Sequence, residues 1–306
     1  MSKQKSRERF GTLLAVAAAA ISGVAIPVNK IFLVDLEPAV FTAVRALIIG
    51  LIFLAFVGLQ SKKSKKPLKK VPWKYLIAIG IIGGGLAFLL YFTGLSLTTS
   101  SRAAFLHKTL PIYTSVLAFI FLRERVSPGQ SIGLLVMLSG TFLLVSGQIS
   151  PAEFWTDPQL GDLLVLLATF LWGIENVLAK YAMIKDESNL VVSFARMLIG
   201  SVLLFSAVIA LGKLDSLMLL SAQQAFNVLI STGLLFGYVL FYYWSLRHIN
   251  VSKASALLLI APVITLLIGV YALGEPLPVL QRIGSVLILL GAFAVAKERS
   301  AFSSGI

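Results

Sequence analysis

Runs of about twenty apolar residues recur along the whole chain, roughly at 10–32, 38–59, 73–97, 101–122, 128–147, 160–183, 189–211, 223–247, 252–273 and 278–296. As an α-helix, twenty residues rise about 30 Å, the thickness of a bilayer's hydrocarbon core. No water is present there to satisfy a free backbone, so only helices and closed barrels cross. The runs lack strand-like alternation, which leaves helices. Composition agrees: 58% of residues are hydrophobic, 13% are charged and the mean hydropathy is +0.93, whereas soluble domains are nearer a quarter charged. The expected fold is an all-α membrane protein with ten transmembrane helices.

The 26 basic and 13 acidic residues give a net charge of +13. On a soluble chain this excess would suggest nucleic acid. Here it sits in short connections between apolar runs, where it sets topology instead. Lys3, Lys5, Arg7 and Arg9 precede the first run, and Lys62, Lys63, Lys65, Lys66, Lys69, Lys70 and Lys74 join the second to the third. Lys297 and Arg299 follow the last. Asp35, Glu37, Glu153 and Asp157 mark alternate connections. Positive loops stay inside, so both termini are expected in the cytoplasm of a multi-pass plasma-membrane protein. The first run ends in Pro27, Asn29 and Lys30, with no small-residue cleavage site, and reads as a retained helix. Trp73 and the neighbouring lysines also suit anionic lipid, although a solvated topology determinant explains them more simply. The chain contains no cysteine, which removes disulfides, thiol catalysis and thiolate metal sites.

The stretch from Ser101 to Arg125 has an echo 151 positions later, at Ser252 to Pro276. Ser101 meets Ser252, Pro111 meets Pro262, Thr114 meets Thr265 and Glu124 meets Glu275. The same offset joins Tyr91 to Tyr242, Gln130 to Gln281, Gly133 to Gly284, Gly140 to Gly291 and Arg45 to Arg196. Gly11, Gly23 and Lys30 match Gly161, Gly173 and Lys180 at 150. Leu and Ala recur in any apolar segment, but matched Pro, Gln, Glu and Gly at one offset do not arise from composition. The chain therefore divides into repeats at 1–150 and 151–306. Five spans per copy is odd, so the copies enter the membrane from opposite sides. Inverted repeats of this kind place substrate sites at their interface near the midplane.

Two segments, AAFLHKTLPIYTSVLAFIFLRER and ASALLLIAPVITLLIGVYALGEP, share a small-residue stretch, a proline a third of the way in and a closing Glu. With the glycine-punctuated GLLVMLSGTFLLVSG and GSVLILLGAFAVA, they make the chain resemble the drug/metabolite transporter superfamily, specifically its EamA-type ten-helix exporters. The resemblance covers essentially the whole chain. It implies a central cavity lined by the first, third, fourth, sixth, eighth and ninth helices, and transport out of the cell. His107 and Lys108 depart from the family pattern, which has small or apolar residues there.

Charge inside a span is expensive and marks a functional site by default. Lys108 lies about 10 Å deep and Glu175 near the bilayer centre, by the helical rise. Their levels differ by about 10 Å or less on the same measure, so they form either a substrate clamp or a structural ion pair. Lys108 would take a carboxylate or phosphate, and Glu175 an amine or proton. Alternatively Lys108 snorkels outward. His107 is a candidate for proton coupling. Neighbouring helical residues diverge by about 100°, so His107 and Lys108 are not both expected to face a cavity, and Asn176 stands in the same relation to Glu175. Arg45 and Arg196, matched between copies, read as structural cations that snorkel or bond helix-end carbonyls; Lys30 and Lys180 read likewise. Tyr91, Trp172, Tyr238 and Tyr242 make a candidate aromatic wall, while Tyr243 and Trp244 are expected at lipid or interface. Gly83, Gly84, Gly85, Gly233 and Gly237 are expected to let helices approach closely. Pro111 and Pro262 each remove a backbone bond and are candidate hinges.

The combined reading is a secondary transporter exporting a small polar or amphipathic metabolite, amino-acid-like, by alternating access, with protons as a further partner through Glu175 or His107. Rivals are a sugar-phosphate or nucleotide-sugar exchanger, a lipophilic-cation efflux pump, a scaffold, and a membrane-embedded enzyme. With no cysteine, two distant histidines and no phosphate-binding G-x-x-x-x-G-K-[ST] loop, the sequence offers no metal, cofactor or ATP site.

Overall fold

The prolines and glycines that punctuate the sequence decide where the spans break and touch. In the computed structural model, residues 2–32, 36–63, 72–146, 159–185 and 187–299 are described. Ten helices there are long and apolar enough to cross a membrane. They are α1 (Ser2–Phe32), α2 (Pro38–Lys63), α3 (Trp73–Ser96), α4 (Ser100–His107 and Leu110–Leu122), α5 (Pro128–Ser146), α6 (Leu160–Ile184), α7 (Asn189–Ala210), α8 (Ala222–Leu246), α9 (Val251–Leu257 continuing as Ala261–Leu273) and α10 (Val279–Lys297). No strand occurs among the described residues. The lysine-rich loop around 64–71 and the side chain of Lys30 lie outside them.

The two copies fold alike down to their helix ends. Thr99 caps α4 by accepting from the Arg102 N–H at 3.3 Å, and Asn250 caps α9 by accepting from the Lys253 N–H at 3.1 Å. Both helices close in a left-handed turn, at Arg123 (φ 52°) and Gly274 (φ 68°). Each proline lacks an N–H and crowds the carbonyl four residues earlier, here His107 and Leu258. The expected kinks accordingly appear as breaks. α4 stops at His107 and restarts at Leu110, and α9 tightens into a 3-10 turn over Leu258–Ile260.

Small residues show that the copies pack about a pseudo-twofold axis. A Cβ on Gly133 would lie 2.9 Å from the Gly291 carbonyl oxygen, and one on Gly140 would lie 2.6 Å from that of Gly284. Exchanging each residue for its repeat mate turns the first contact into the second. The same exchange relates Gly11 against His248 to Gly161 against Leu97, and Gly23 against Ile264 to Gly173 against Tyr113. Helix pairs thus dock backbone to backbone, the usual solution where lipid gives no hydrophobic drive to association. Large apolar side chains such as Phe119, Phe121, Leu290 and Phe293 are exposed. In a chain of ten apolar spans, such surface is met by lipid.

The glycine expectations divide. Gly83, Gly84 and Gly85 are buried in a π-helical turn of α3, Gly80–Leu86, facing a second π turn of α7, Ala195–Ile199. A Cβ on Gly84 would fall 1.9 Å from the Arg196 carbonyl oxygen. Gly237 meets only the tip of Ile21, at 3.1 Å, and Gly233 meets nothing within 4 Å. Gly233 stands on the outer face of α8, so its spacing from Gly237 is not a packing motif here. Gly84→Ala is expected to lower the thermal midpoint in detergent by the equivalent of about 1–3 kcal/mol, while Gly233→Ala leaves it unchanged or raises it.

Candidate functional site

Between the two copies lies a cavity of about 330 Å³, bounded by α1 to α4 of one and α6 to α9 of the other. Its walls are largely repeat mates. Tyr91 and Tyr242, Arg45 and Arg196, Ser22 and Trp172, Ile26 and Asn176 all line it, as do His107 and Lys108 with their mates Leu258 and Leu259. The cavity therefore sits on the pseudo-twofold axis, and the mates that differ chemically make it asymmetric. The family layout omitted α2 and α7, which contribute the two arginines.

Two aromatic groups form the walls. Trp172 is held by a hydrogen bond from its Nε1 to the Gly83 carbonyl at 3.0 Å. Around it pack Tyr91 at 5.4 Å, Phe88 at 5.2 Å and His107 at 4.8 Å between ring centres. Opposite, Tyr238 and Tyr242 stack at 5.7 Å with ring planes 5° apart. All four aromatics of the expected wall thus face one space. Tyr243, assigned from sequence to the interface, is 1% exposed and lines the cavity as well. Trp244 does lie at the surface, against Phe10.

His107 and Lys108 both reach the cavity. The 100° divergence that was expected to separate them applies only to continuous helix, and α4 breaks between His107 and Leu110. The Nδ1 of His107 is buried without a partner. Neither Lys108 nor Arg45 pairs with a carboxylate among the described residues.

Glu175 does not meet Lys108. Its Oε2 lies 3.6 Å from the Arg196 Nε, and its Oε1 accepts from the Tyr243 hydroxyl. Arg196 also stacks on Phe88 and Tyr243, at 5.7 and 5.6 Å. The knot exists because Gly83 has no side chain: a Cβ there would lie 2.0 Å from the Glu175 Cγ. Asn176, one residue on, turns to the cavity instead. Arg45 occupies the matching place in the first copy, but the mate of Glu175 is Ala25. Its Nη1 donates to Ser231 Oγ at 2.7 Å, its guanidinium covers Phe41 at 3.9 Å, and its Nε has no partner. Both arginines are about 5% exposed, so neither snorkels. Each finds a polar partner inward, which costs less than reaching past the neighbouring helices.

One face of the bundle is tied together by polar contacts. Lys253, at the start of α9, binds Glu8 of α1 at 3.3 Å and the carbonyls of Ala296 and Glu298 at the end of α10. The two terminal helix ends therefore share one face. On that face Glu124, buried at the end of α4, accepts from the Val251 N–H at 3.1 Å and from Ser252 Oγ at 3.4 Å. Burial holds its carboxyl above the usual carboxylate range, against the pull of Lys180 and of these donors. Lys180 itself donates to the Leu246 and Ile249 carbonyls. On the opposite face Glu275, the mate of Glu124, is exposed and has no such contact among the described residues. The cavity lining reaches toward that face through Asn29, Arg45 and Tyr91.

An axial chamber between inverted halves of ten apolar spans is the architecture of a multi-pass membrane transporter. Comparison with known proteins makes the class specific. The model of the EamA-like transporter family matches residues 9–146 and again 159–297, and the chain belongs to that family, within the drug/metabolite transporter superfamily. It is 27% identical over 267 residues to the uncharacterized transporter YoaV of Bacillus subtilis, covering 86% of this chain and 89% of that protein. It is 26% identical over 247 residues to the riboflavin transporter ImpX of Fusobacterium nucleatum, covering 78% and 82%. A solved crystal structure superposes over 94% of this chain and 96% of its own with a TM-score of 0.72 at 21% identity, a likeness of fold.

Glu175→Gln removes the counter-charge of a buried arginine and is expected to lower the thermal midpoint by the equivalent of about 3–5 kcal/mol. The double variant Glu175→Gln/Arg196→Gln is expected to regain part of that loss. Lys108→Leu, which installs the residue of the other copy, leaves the midpoint unchanged or higher.

Proposed function

We propose that the chain is a secondary transporter moving a small polar or amphipathic metabolite through the axial cavity by alternating access. The observation that carries this reading is the cavity itself, shared by both repeats, with the Glu124 cap holding one face of the bundle. At about 330 Å³ it falls in the range of small-ligand pockets, roughly 300–1,000 Å³. The side chains we assign to the substrate are Tyr91, His107, Lys108, Trp172, Asn176, Tyr238 and Tyr242. Glu175 supports them from behind by fixing Arg196 and Tyr243.

The repeat supplies the second state. In the first, Glu124 caps the start of α9 and closes the face that carries the termini. In the second, Glu275 caps the start of α4 and closes the other. The breaks before Pro111 and Pro262 are the bending points between them. The charge of the connections puts the termini in the cytoplasm, so the first state opens outward and the cycle exports. Proton coupling, where it operates, uses His107, whose Nδ1 is free at the cavity, rather than Glu175, which is already bonded twice.

A second reading has one specific support. ImpX is named a riboflavin transporter, and a flat ring system suits two opposed aromatic walls. Purified protein in liposomes, loaded with one compound and offered a labelled one, distinguishes these readings. We expect counterflow with a member of a panel of amino acids, aromatic metabolites and flavins, and its loss in Trp172→Ala. Failure of the whole panel, with sugar phosphates and lipophilic cations included, would overturn the proposal.

A further inference from the structure

Charge is distributed unevenly around the cavity. Three permanently or ordinarily cationic side chains line it, Arg45, Lys108 and Arg196, and no aspartate or glutamate does. Arg196 is neutralised from behind by Glu175 at 3.6 Å. Arg45 is not: the place of Glu175 in its own copy is filled by Ala25, which also lines the cavity. Ser231, its hydrogen-bond partner, is neutral and donates its own hydroxyl hydrogen bond to Asn29 Oδ1 at 2.5 Å. Lys108 has no ion-pair partner among the described residues, and its mate is Leu259. The lined space thus holds two positive charges with no carboxylate partner among the described residues, inside a bundle of ten apolar spans. Buried charges are ordinarily paired, and an unpaired one inside a membrane protein marks a ligand or ion pathway.

We infer that the substrate is an organic anion, its carboxylate or phosphate received by Lys108 and Arg45 while its ring lies against the Trp172 or Tyr242 wall. The inference rests on the transporter reading for the place of binding, and adds the chemical class. Both cations stand on the first copy, Arg45 on α2 and Lys108 on α4, so the anionic end of the substrate is oriented toward that half. Arg45 offers a planar fork with a free Nε, suited to a two-oxygen anion, and Lys108 a compact point charge. An amine would find no counter-charge in the cavity, because the Glu175 oxygens are occupied by Arg196 and Tyr243. This argues against the lipophilic-cation alternative and makes a free amino acid a poorer fit than the same molecule without its ammonium group.

Matched probes of one size test it: phenylacetate, phenyl phosphate, phenylacetamide and phenethylamine, each titrated into the purified full chain while the thermal midpoint and tryptophan emission are followed. Phenylacetate, phenyl phosphate or both are expected to bind, and the amide and amine not to bind measurably. Lys108→Leu and Arg45→Gln are each expected to weaken the anion by about tenfold or more, the effect of one lost charge-assisted hydrogen bond. Lys108→Glu is expected to shift preference from the anion to phenethylamine, a gain that a misfolded variant does not give. Binding of the amine to the unmodified protein as strongly as the anions, or undiminished anion binding in both single variants, overturns the inference. Whether the bound anions also exchange across liposomes is a separate readout: binding without exchange sinks the transporter reading and leaves the anion site standing, whereas exchange confined to amines or neutral compounds does the reverse.

Discussion

An odd number of spans in each copy is the constraint from which the rest of the architecture follows. Five crossings force the second copy into the membrane upside down, so every contact made near one face by one copy is available near the other face to its mate. Backbone-close contacts at Gly133 against Gly291 and Gly140 against Gly284 hold the halves about this axis. The cavity lies on the axis because that is where neither copy can complete its own packing. Hydrogen bonds satisfied within helices make the walls compatible with lipid outside and polar side chains inside.

Symmetry then separates scaffold from specificity. The caps at Thr99 and Asn250, the breaks before Pro111 and Pro262, and the tyrosines 91 and 242 are common to both copies and belong to the device. Where mates differ, the difference is chemical: Glu175 against Ala25, Lys108 against Leu259, His107 against Leu258 and Trp172 against Ser22. All eight positions but Glu175 line the cavity, and Glu175 stands directly behind Arg196. Glu124 and Glu275 differ in another way. They are the same residue in the same context, one buried in a cap and one exposed, as expected of a pair whose roles exchange between two states.

The spans, their number and their inverted arrangement were legible because hydropathy and a fixed repeat offset are strong, long-range signals. The site was legible only in part. Depth along a helix identified Lys108, Glu175 and Trp172, but depth does not give rotation about the helix axis. That missing angle is why Arg196 and Tyr243 were assigned to structure and interface, and why Glu175 was matched with Lys108 instead of Arg196. The repeat relation between Arg45 and Arg196, together with the glycine triplet at 83–85, was the signal that a charge must fit between closely packed helices. For His107 and Lys108 the error lay elsewhere. Pro111 announced a disturbance four residues upstream, and a regular 100° step was applied across it.

Because the chain has no cysteine, one introduced at Ala104, a small residue of the cavity lining, reports access without background. A membrane-impermeant thiol reagent is applied to one side of sealed, oriented vesicles at a time, and the modification rate is followed. If the axial cavity is the route and Glu124 latches one state, Ala104→Cys is modified from both sides, faster from the face away from the termini. Adding Glu124→Gln raises the rate at the terminal face. Modification from a single face, unchanged by Glu124→Gln, in protein that still transports would contradict the account.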